Sequence, residues 1–195
     1  MLSVLTLLGV GTLAQLPTPA DVGCGLGEQA PAIRRTDSVL SLRLNVPAFR
    51  LEVRAHDTLV RTMRVAVGMP RYPTPRGHYA IDYVVWNPWW RPPDAEWARH
   101  EKVTPPGWSN PVGRVKLHVT GLVFLHGSPL EGSIGSAASH ACVRLANRDA
   151  IALARLVHAH GSPSVRAETL DSLEADTAAT RQIALPFAVP LDLVY

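Results

Sequence analysis

Residues 139–147 read Ser-His-Ala-Cys-Val-Arg-Leu-Ala-Asn, with Cys142 two residues after His140 and two before Arg144. A cysteine so placed has three readings: a nucleophile, a metal ligand, or a small apolar core residue. A thiol becomes a useful nucleophile when a nearby base or positive charge favours the thiolate. The base that the chain offers is His126, which closes the apolar run Leu122-Val-Phe-Leu-His-Gly127. Downstream, Asn147 to Gly161 carries helical periodicity, with Asn147 as expected N-cap, Asp149 in the first turn and His158 and His160 near the end. Cys142 is therefore expected just before a helix N-terminus, whose N–H groups favour negative charge and could form an oxyanion hole. Residue chemistry alone leaves the nucleophile and the structural thiol both open.

Working outward, the pattern upstream is β. Val39 to Asn45 puts Leu40, Leu42 and Leu44 on one face, and Phe49, Leu51 and Val53 repeat the alternation. A turn at His56-Asp-Thr58 leads into Leu59 to Gly68 as a returning strand. The Pro/Gly-rich turn at 70–78 launches His78 to Trp86, and Arg114 to Gly121 alternates again. Between them, Trp86 to Gly113 is a long irregular stretch holding all five tryptophans. Loops of that length in small domains tend to be lids or binding loops. Ser128 to Ala141 reads as a small-residue loop. A short helix is expected around Glu168 to Ala179. In the C-terminal stretch, Ile183, Leu185, Phe187, Val189, Leu191, Leu193 and Tyr195 share one face and Pro186 and Pro190 the other, which suits an edge strand. The expected fold is mainly β, a sandwich or barrel, with one principal helix after the cysteine.

With 195 residues, 47% hydrophobic and 18% charged, the chain fits one core-bearing domain rather than a disordered segment. The formal charge of +3 is carried by scattered arginines; only Lys102 and Lys116 are lysines. Nucleic-acid footprints need clustered charge, so no nucleic-acid partner is expected, while an acidic envelope polymer suits a mildly basic surface. Two cysteines make no disulfide framework, and Cys142 is expected to be free. Residues 1–22 hold an apolar run of signal-peptide length, although without a basic n-region. Export is the expectation, with a buried N-terminal segment as the alternative; Asp21 and the prolines before Cys24 argue against a lipid anchor there.

The spacing narrows the choice at Cys142. His126-Gly127-Ser128, Ile134-Gly135 and Ser139-His140-Ala141-Cys142-Val143-Arg144, with the histidine and cysteine 16 positions apart, resemble the L,D-transpeptidase catalytic signature. Arg50 to Ile81 looks like that family's opening hairpin and Thr-Pro turn, and 86–93 and 105–113 like its loop segments before the active site. The resemblance runs from about Val39 to Ser164. It implies a β-sandwich-like catalytic domain over 38–165, leaving 166–195 as a C-terminal extension. By position it implies Cys142 as nucleophile and His126 as general base, with Arg144, His140, Ser139, Gly127 and Ala141 binding substrate or supporting the loop. The implied reaction cuts a peptidoglycan stem tetrapeptide, releases D-alanine, and passes a thioester-held acyl group to an amine or to water. It implies no metal or cofactor, no specific protein partner, and a location in the cell envelope. The family prefers glycine where this chain has Ala141. Two other readings remain: a sortase-like Cys-His acyl transferase, and a non-catalytic peptidoglycan-binding module whose loop Ala141 has spoiled. The helix-end histidines His158 and His160 face different directions and suggest no metal pair.

Overall fold

The structure is a computed structural model that describes residues 39–195. The N-terminal run at 1–22 and Cys24 lie outside the described residues. Ten strands and two helices follow one another as β1 (Leu40–Asn45), β2 (Arg50–Ala55), β3 (Thr58–Arg64), β4 (Val67–Gly68), β5 (Gly77–Trp86), β6 (Val115–Thr120), β7 (Val123–Ser128), β8 (Ala137–Ser139), β9 (Val143–Ala146), α1 (Asn147–Gly161), α2 (Ala167–Ala175) and β10 (Arg181–Val194). Eight strands form one sheet in the order β3-β2-β1-β10-β5-β6-β7-β9, while β4 and β8 pair separately. The β1–β10 and β7–β9 pairs are parallel and the other pairs of the large sheet antiparallel. Fold class is as expected, mostly strand with one long helix after the cysteine.

Period-2 alternation builds the core. Leu40, Leu42, Leu44, Leu51, Val53, Ile81, Leu117, Leu125, Val143 and Leu145 all point inward and are buried. Helix α1 covers the β6–β7–β9 end through Ala150, Leu153, Ala154 and Val157. Val157 is followed by His158, which is fully buried rather than a solvated helix-end residue. Trp86 donates its indole N–H to His158 Nε2 at 3.0 Å, and His158 Nδ1 lies 2.9 Å from Ser162 Oγ. Nε2 must accept, so the proton sits on Nδ1 and the ring is neutral; burial lowers its pKa to about 4.

Three expectations are corrected. The returning strand after the first turn is not continuous: it ends at Arg64, and Ala66 instead exchanges backbone hydrogen bonds with Arg144 of β9. Strands β3 and β9 are the two edges of the sheet, so this bridge joins them and wraps the sheet around its core. The 128–141 loop contains a strand, β8, that pairs in parallel with β4 beneath the catalytic-loop candidate. The C-terminal strand is interior, between β1 and β5, not an edge. Its prolines are tolerated because Pro186 falls within the bulge between Ala184 and Val189. Pro190 lies just before the β1 ladder begins at Leu191.

Candidate active site

Strand register sets the site. Across β6, β7 and β9, Lys116 pairs with His126 and His126 with Arg144, making one transverse row on the face opposite Leu117, Leu125 and Val143. One row along, His118 pairs with Phe124, and Cys142 enters β9 beside them. Strand register thus sets His126 and Arg144 in one row with Lys116, and brings Cys142 in at the start of β9. Lys116 was not among the expected site residues. Its signal is visible in retrospect, because a lysine alternating with the buried Val115, Leu117 and Val119 must lie on the opposite face of the strand.

His126 is 4% exposed. Its Nδ1 lies 2.7 Å from the Gly127 carbonyl oxygen, which can only accept, so Nδ1 carries the proton and Nε2 keeps its lone pair. Burial lowers its pKa to about 4; the Gly127 bond opposes this, and the charges of Arg144 and Lys116 add to it. Burial likewise pushes the Cys142 thiol up, against a hydrogen bond from the Phe124 backbone and the attraction of Arg144 and Lys116. The resting pair is therefore neutral thiol and neutral imidazole. The thiol donates to the Leu122 carbonyl oxygen at 3.5 Å, and a turn of its side chain is needed to present the proton to His126.

The expected helix dipole does not reach Cys142. Strand β9 intervenes, and the five residue steps from Cys142 to Asn147, at about 3.3 Å each, put the start of α1 roughly 16 Å away, beyond the single turn over which a helix terminus acts. Asn147 is not an N-cap either: α1 has no side-chain cap, and Asn147 Oδ1 accepts from Arg114 N at 2.9 Å while its amide approaches Trp108 O. Gly127 makes room for that cross-link, since a Cβ there would sit 2.3 Å from Asn147 Oδ1.

The turn at 68–74 shapes the cysteine loop. Ala141 N–H donates to Tyr72 O at 3.0 Å, Thr74 Oγ1 donates to Ala141 O at 3.0 Å, and Gly68 N–H donates to Thr74 Oγ1 at 2.8 Å. Ser139, buried in β8, braces the loop from inside by donating its hydroxyl to the Cys142 carbonyl. Within these restraints Ala141 takes φ +72°, the left-handed region where glycine is at ease. A non-glycine residue there costs roughly 1–2 kcal/mol, and glycine's extra unfolded-state freedom takes back about 0.5–1 kcal/mol. Ala141→Gly is accordingly expected to stabilise the protein by up to about 1 kcal/mol, read as a raised urea midpoint with unchanged slope.

The tryptophan-rich segment lies over one side of this loop. Trp97, in a short 3-10 turn (Glu96–Ala98), stacks on His140 at 3.9 Å between centroids and 7° between planes, and Tyr72 closes the other side at 4.9 Å. His140 is thus held in an aromatic clasp, not free in solvent. The segment is tied down by Asn110, whose buried amide donates to Pro88 O and Pro105 O at 3.0 and 2.8 Å. Buried Arg114 reaches Glu174 O at 2.9 Å and Asn87 Oδ1 at 2.8 Å, linking the segment's ends to α2. Sequence reading missed Asn110 and Arg114, since nothing local distinguishes a buried polar anchor from a solvated loop residue. Among the described residues no group of three or more His, Cys, Asp or Glu converges as metal ligands do.

Comparison with known proteins agrees with this geometry. The model of the L,D-transpeptidase catalytic domain (YkuD) matches residues 41–167. A Bacillus licheniformis protein assigned as the L,D-transpeptidase YkuD is 33% identical over 140 residues, covering 70% of this chain and 72% of that one. Among solved structures, an L,D-transpeptidase from Mycobacterium smegmatis superposes with a TM-score of 0.52 at 19% identity, over 80% of this chain and 59% of that chain. L,D-transpeptidase 3 from Mycobacterium tuberculosis, in complex with a faropenem-derived adduct, gives 0.52 at 14%, over 80% and 60%. At those identities the likeness shows the shared fold, and this chain spans about three-fifths of the solved chains. The family match, the related sequence and the His126–Cys142 sheet face lead to one assignment: the chain belongs to the L,D-transpeptidase catalytic-domain family.

Proposed function

We propose that this protein is a cysteine transpeptidase acting on peptidoglycan stem tetrapeptides, with Cys142 as nucleophile and His126 as its base. His126 Nε2 takes the thiol proton as sulfur attacks the carbonyl between the third and fourth stem residues. The C–N bond breaks, His126 returns the proton to the departing D-alanine amine, and the acyl group stays on sulfur as a thioester. An amine then attacks the thioester, loses its proton to His126, and expels the sulfur, which is reprotonated. Water in place of the amine gives hydrolysis. Because peptidoglycan lies outside the cytoplasmic membrane, this reading carries export to the cell envelope with it.

The observation that carries the proposal is the tautomer of His126. With Nδ1–H tied to Gly127 O, the unprotonated Nε2 is left for the face that Cys142 enters. Arg144 orients beside them, while Ser139 and the 68–74 turn hold the loop. Incubation with a disaccharide-tetrapeptide is expected to release D-alanine and add the acyl mass to Cys142. Absence of both, with Cys142 shown to be reduced, overturns the proposal. A second reading, a non-catalytic peptidoglycan-binding module, draws on Ala141 and its φ of +72°. It predicts no acylation until Ala141→Gly restores it, whereas robust acylation with Ala141 in place rejects it. Acylation by a sortase-type protein substrate and not by the tetrapeptide would favour the sortase-like reading.

A further inference from the structure

A second histidine shares the sheet face of Cys142. His118 on β6 pairs with Phe124 on β7, and Cys142 enters β9 on the far side of Phe124, so the three lie in one row beside that of His126. On its other side His118 stacks on Tyr83 of β5, with 4.6 Å between ring centroids and 10° between planes, while the Phe124 ring leans on it at 5.5 Å. Held between these rings, His118 places Nδ1 2.7 Å from Asp82 Oδ1. A carboxylate only accepts, so Nδ1 carries a proton and Nε2 is the nitrogen left to take one up. Among the described residues Nε2 has no hydrogen-bond partner, and it is not sealed from solvent. His126 differs in one respect that matters: Lys116 and Arg144 both oppose positive charge on it, whereas His118 has an acid at its back.

An amine acceptor reaches the site in water as an ammonium ion. It must shed one proton before it can attack the thioester and a second one afterwards. We propose that His118, backed by Asp82, is a second proton acceptor: an alkylammonium group binds beside Asp82, gives one proton to His118 Nε2, and goes on as the neutral amine to the thioester on Cys142. In this step an N–H bond of the ammonium breaks and an Nε2–H bond forms. The imidazolium so made faces the Asp82 carboxylate and later releases its proton to water. The amine then attacks and passes its next proton to His126, as described above. The proposal rests on the transpeptidase reading for the thioester, and adds His118 as a catalytic residue and Asp82 as its positioning residue. Asp82 is about half-exposed, which leaves its carboxylate open to a cation from solvent. His118 and Cys142 stand two strand spacings apart, roughly 10 Å, a span that an amine on a long, flexible stem covers by swinging over Phe124. The other titratable groups around His118 are Tyr83 on β5, Lys116 on its own strand and Cys142 beyond Phe124; β7 presents the Phe124 ring.

The test reads how the Cys142 thioester divides between an amine and water, on the full chain acylated with the disaccharide-tetrapeptide. Two acceptors are compared. The side-chain amine of Nα-acetyl-lysine amide is almost wholly protonated at pH 7, whereas hydroxylamine is largely unprotonated there and has no first proton to lose. His118→Gln is expected to lower the ratio of aminolysis to hydrolysis by about tenfold or more with the lysine amine, and to leave it within about twofold with hydroxylamine. Between pH 7 and 9 the rate of lysine aminolysis in this variant is expected to climb about tenfold per pH unit, following the free amine, and in the wild type to climb less. Asp82→Asn keeps a hydrogen bond to His118 but removes the counter-charge, and is expected to lower the lysine ratio by up to about fivefold, as loss of an exposed ion pair does. A pair that only braces the sheet would lower both acceptors alike, and that outcome overturns the proposal. A wild type that takes hydroxylamine but not the lysine amine overturns it as well. Acylation of Cys142 with an unchanged lysine ratio in His118→Gln removes His118 alone and leaves the transpeptidase reading standing. Absence of acylation removes both.

Discussion

Replacing His126 with glutamine is expected to lower the single-turnover rate of Cys142 acylation by about 10²–10⁴-fold, the usual worth of a positioned general base. Glutamine keeps a donor for the Gly127 carbonyl but has no group that accepts the thiol proton. The size of the effect follows from the resting charge state. Burial holds His126 at about 4 and raises the thiol, so a preformed thiolate–imidazolium pair is disfavoured and attack must be coupled to proton transfer. Were the thiolate already formed, His126→Gln would leave the first attack nearly intact. The same charge state sets the pH profile. His126 of the free enzyme must be unprotonated, so kcat/KM is expected to hold across neutral pH and fall only as pH drops toward about 4. An acid limb near 6.5 with an undiminished His126→Gln rate would remove His126 from the role.

The second large effect is on stability. His126 on β7 and His158 on α1 are both buried and neutral, and both have pKa values lowered from 6.5 to about 4. Between those values the unfolded chain binds a proton at each site that the native chain does not. Stability from each group is therefore full above pH 6.5 and lost as pH falls toward 4, by about 3 kcal/mol per histidine. Together that rivals the whole stability of an ordinary domain, ~5–15 kcal/mol. Urea titrations at pH 7, 5.5 and 4.5 are expected to show the midpoint falling steeply across the series. His158→Met removes the acceptor for Trp86 and should cost about 1–3 kcal/mol at pH 7. It should also flatten the pH dependence by about half, because one of the two proton-linked groups is gone. Equal slopes in the wild type and this variant would show that His158 does not carry the effect.

Much of this protein is written locally. The alternation at Leu40-Leu42-Leu44 and at Val115-Leu117-Val119 makes strands in the structure, and the Asn147–Gly161 periodicity makes the helix it predicts. These depend on which face of a short segment is apolar, a property the segment carries by itself. The cysteine motif was also legible, because Ser139, His140, Cys142 and Arg144 lie within six residues and His126 closes a recognisable strand. What the sequence could not supply was anything requiring two distant segments to meet. Pro186 and Pro190 suggested an edge strand, but the interior place of β10 depends on where β1's ladder starts, 149 residues upstream of its partners. The Ala66–Arg144 bridge that joins the sheet's edges has no local sign.

The site divides the same way. Its proposed nucleophile and base, Cys142 and His126, were named from the spacing of the motif they share with the family. Its electrostatics were decided by register. Lys116 enters because β6 places it opposite His126, the helix dipole drops out because β9 intervenes, and Asn147 serves a cross-link rather than a cap because Gly113 and Gly127 leave space beside it. Ala141 shows the boundary most clearly. Its departure from the family's glycine was plain in the sequence, but its φ of +72° and the grip of Tyr72 and Thr74 exist only in the folded chain. Side-chain chemistry belongs to the residue, whereas charge, backbone conformation and proton position belong to its neighbours, and tertiary contacts choose those.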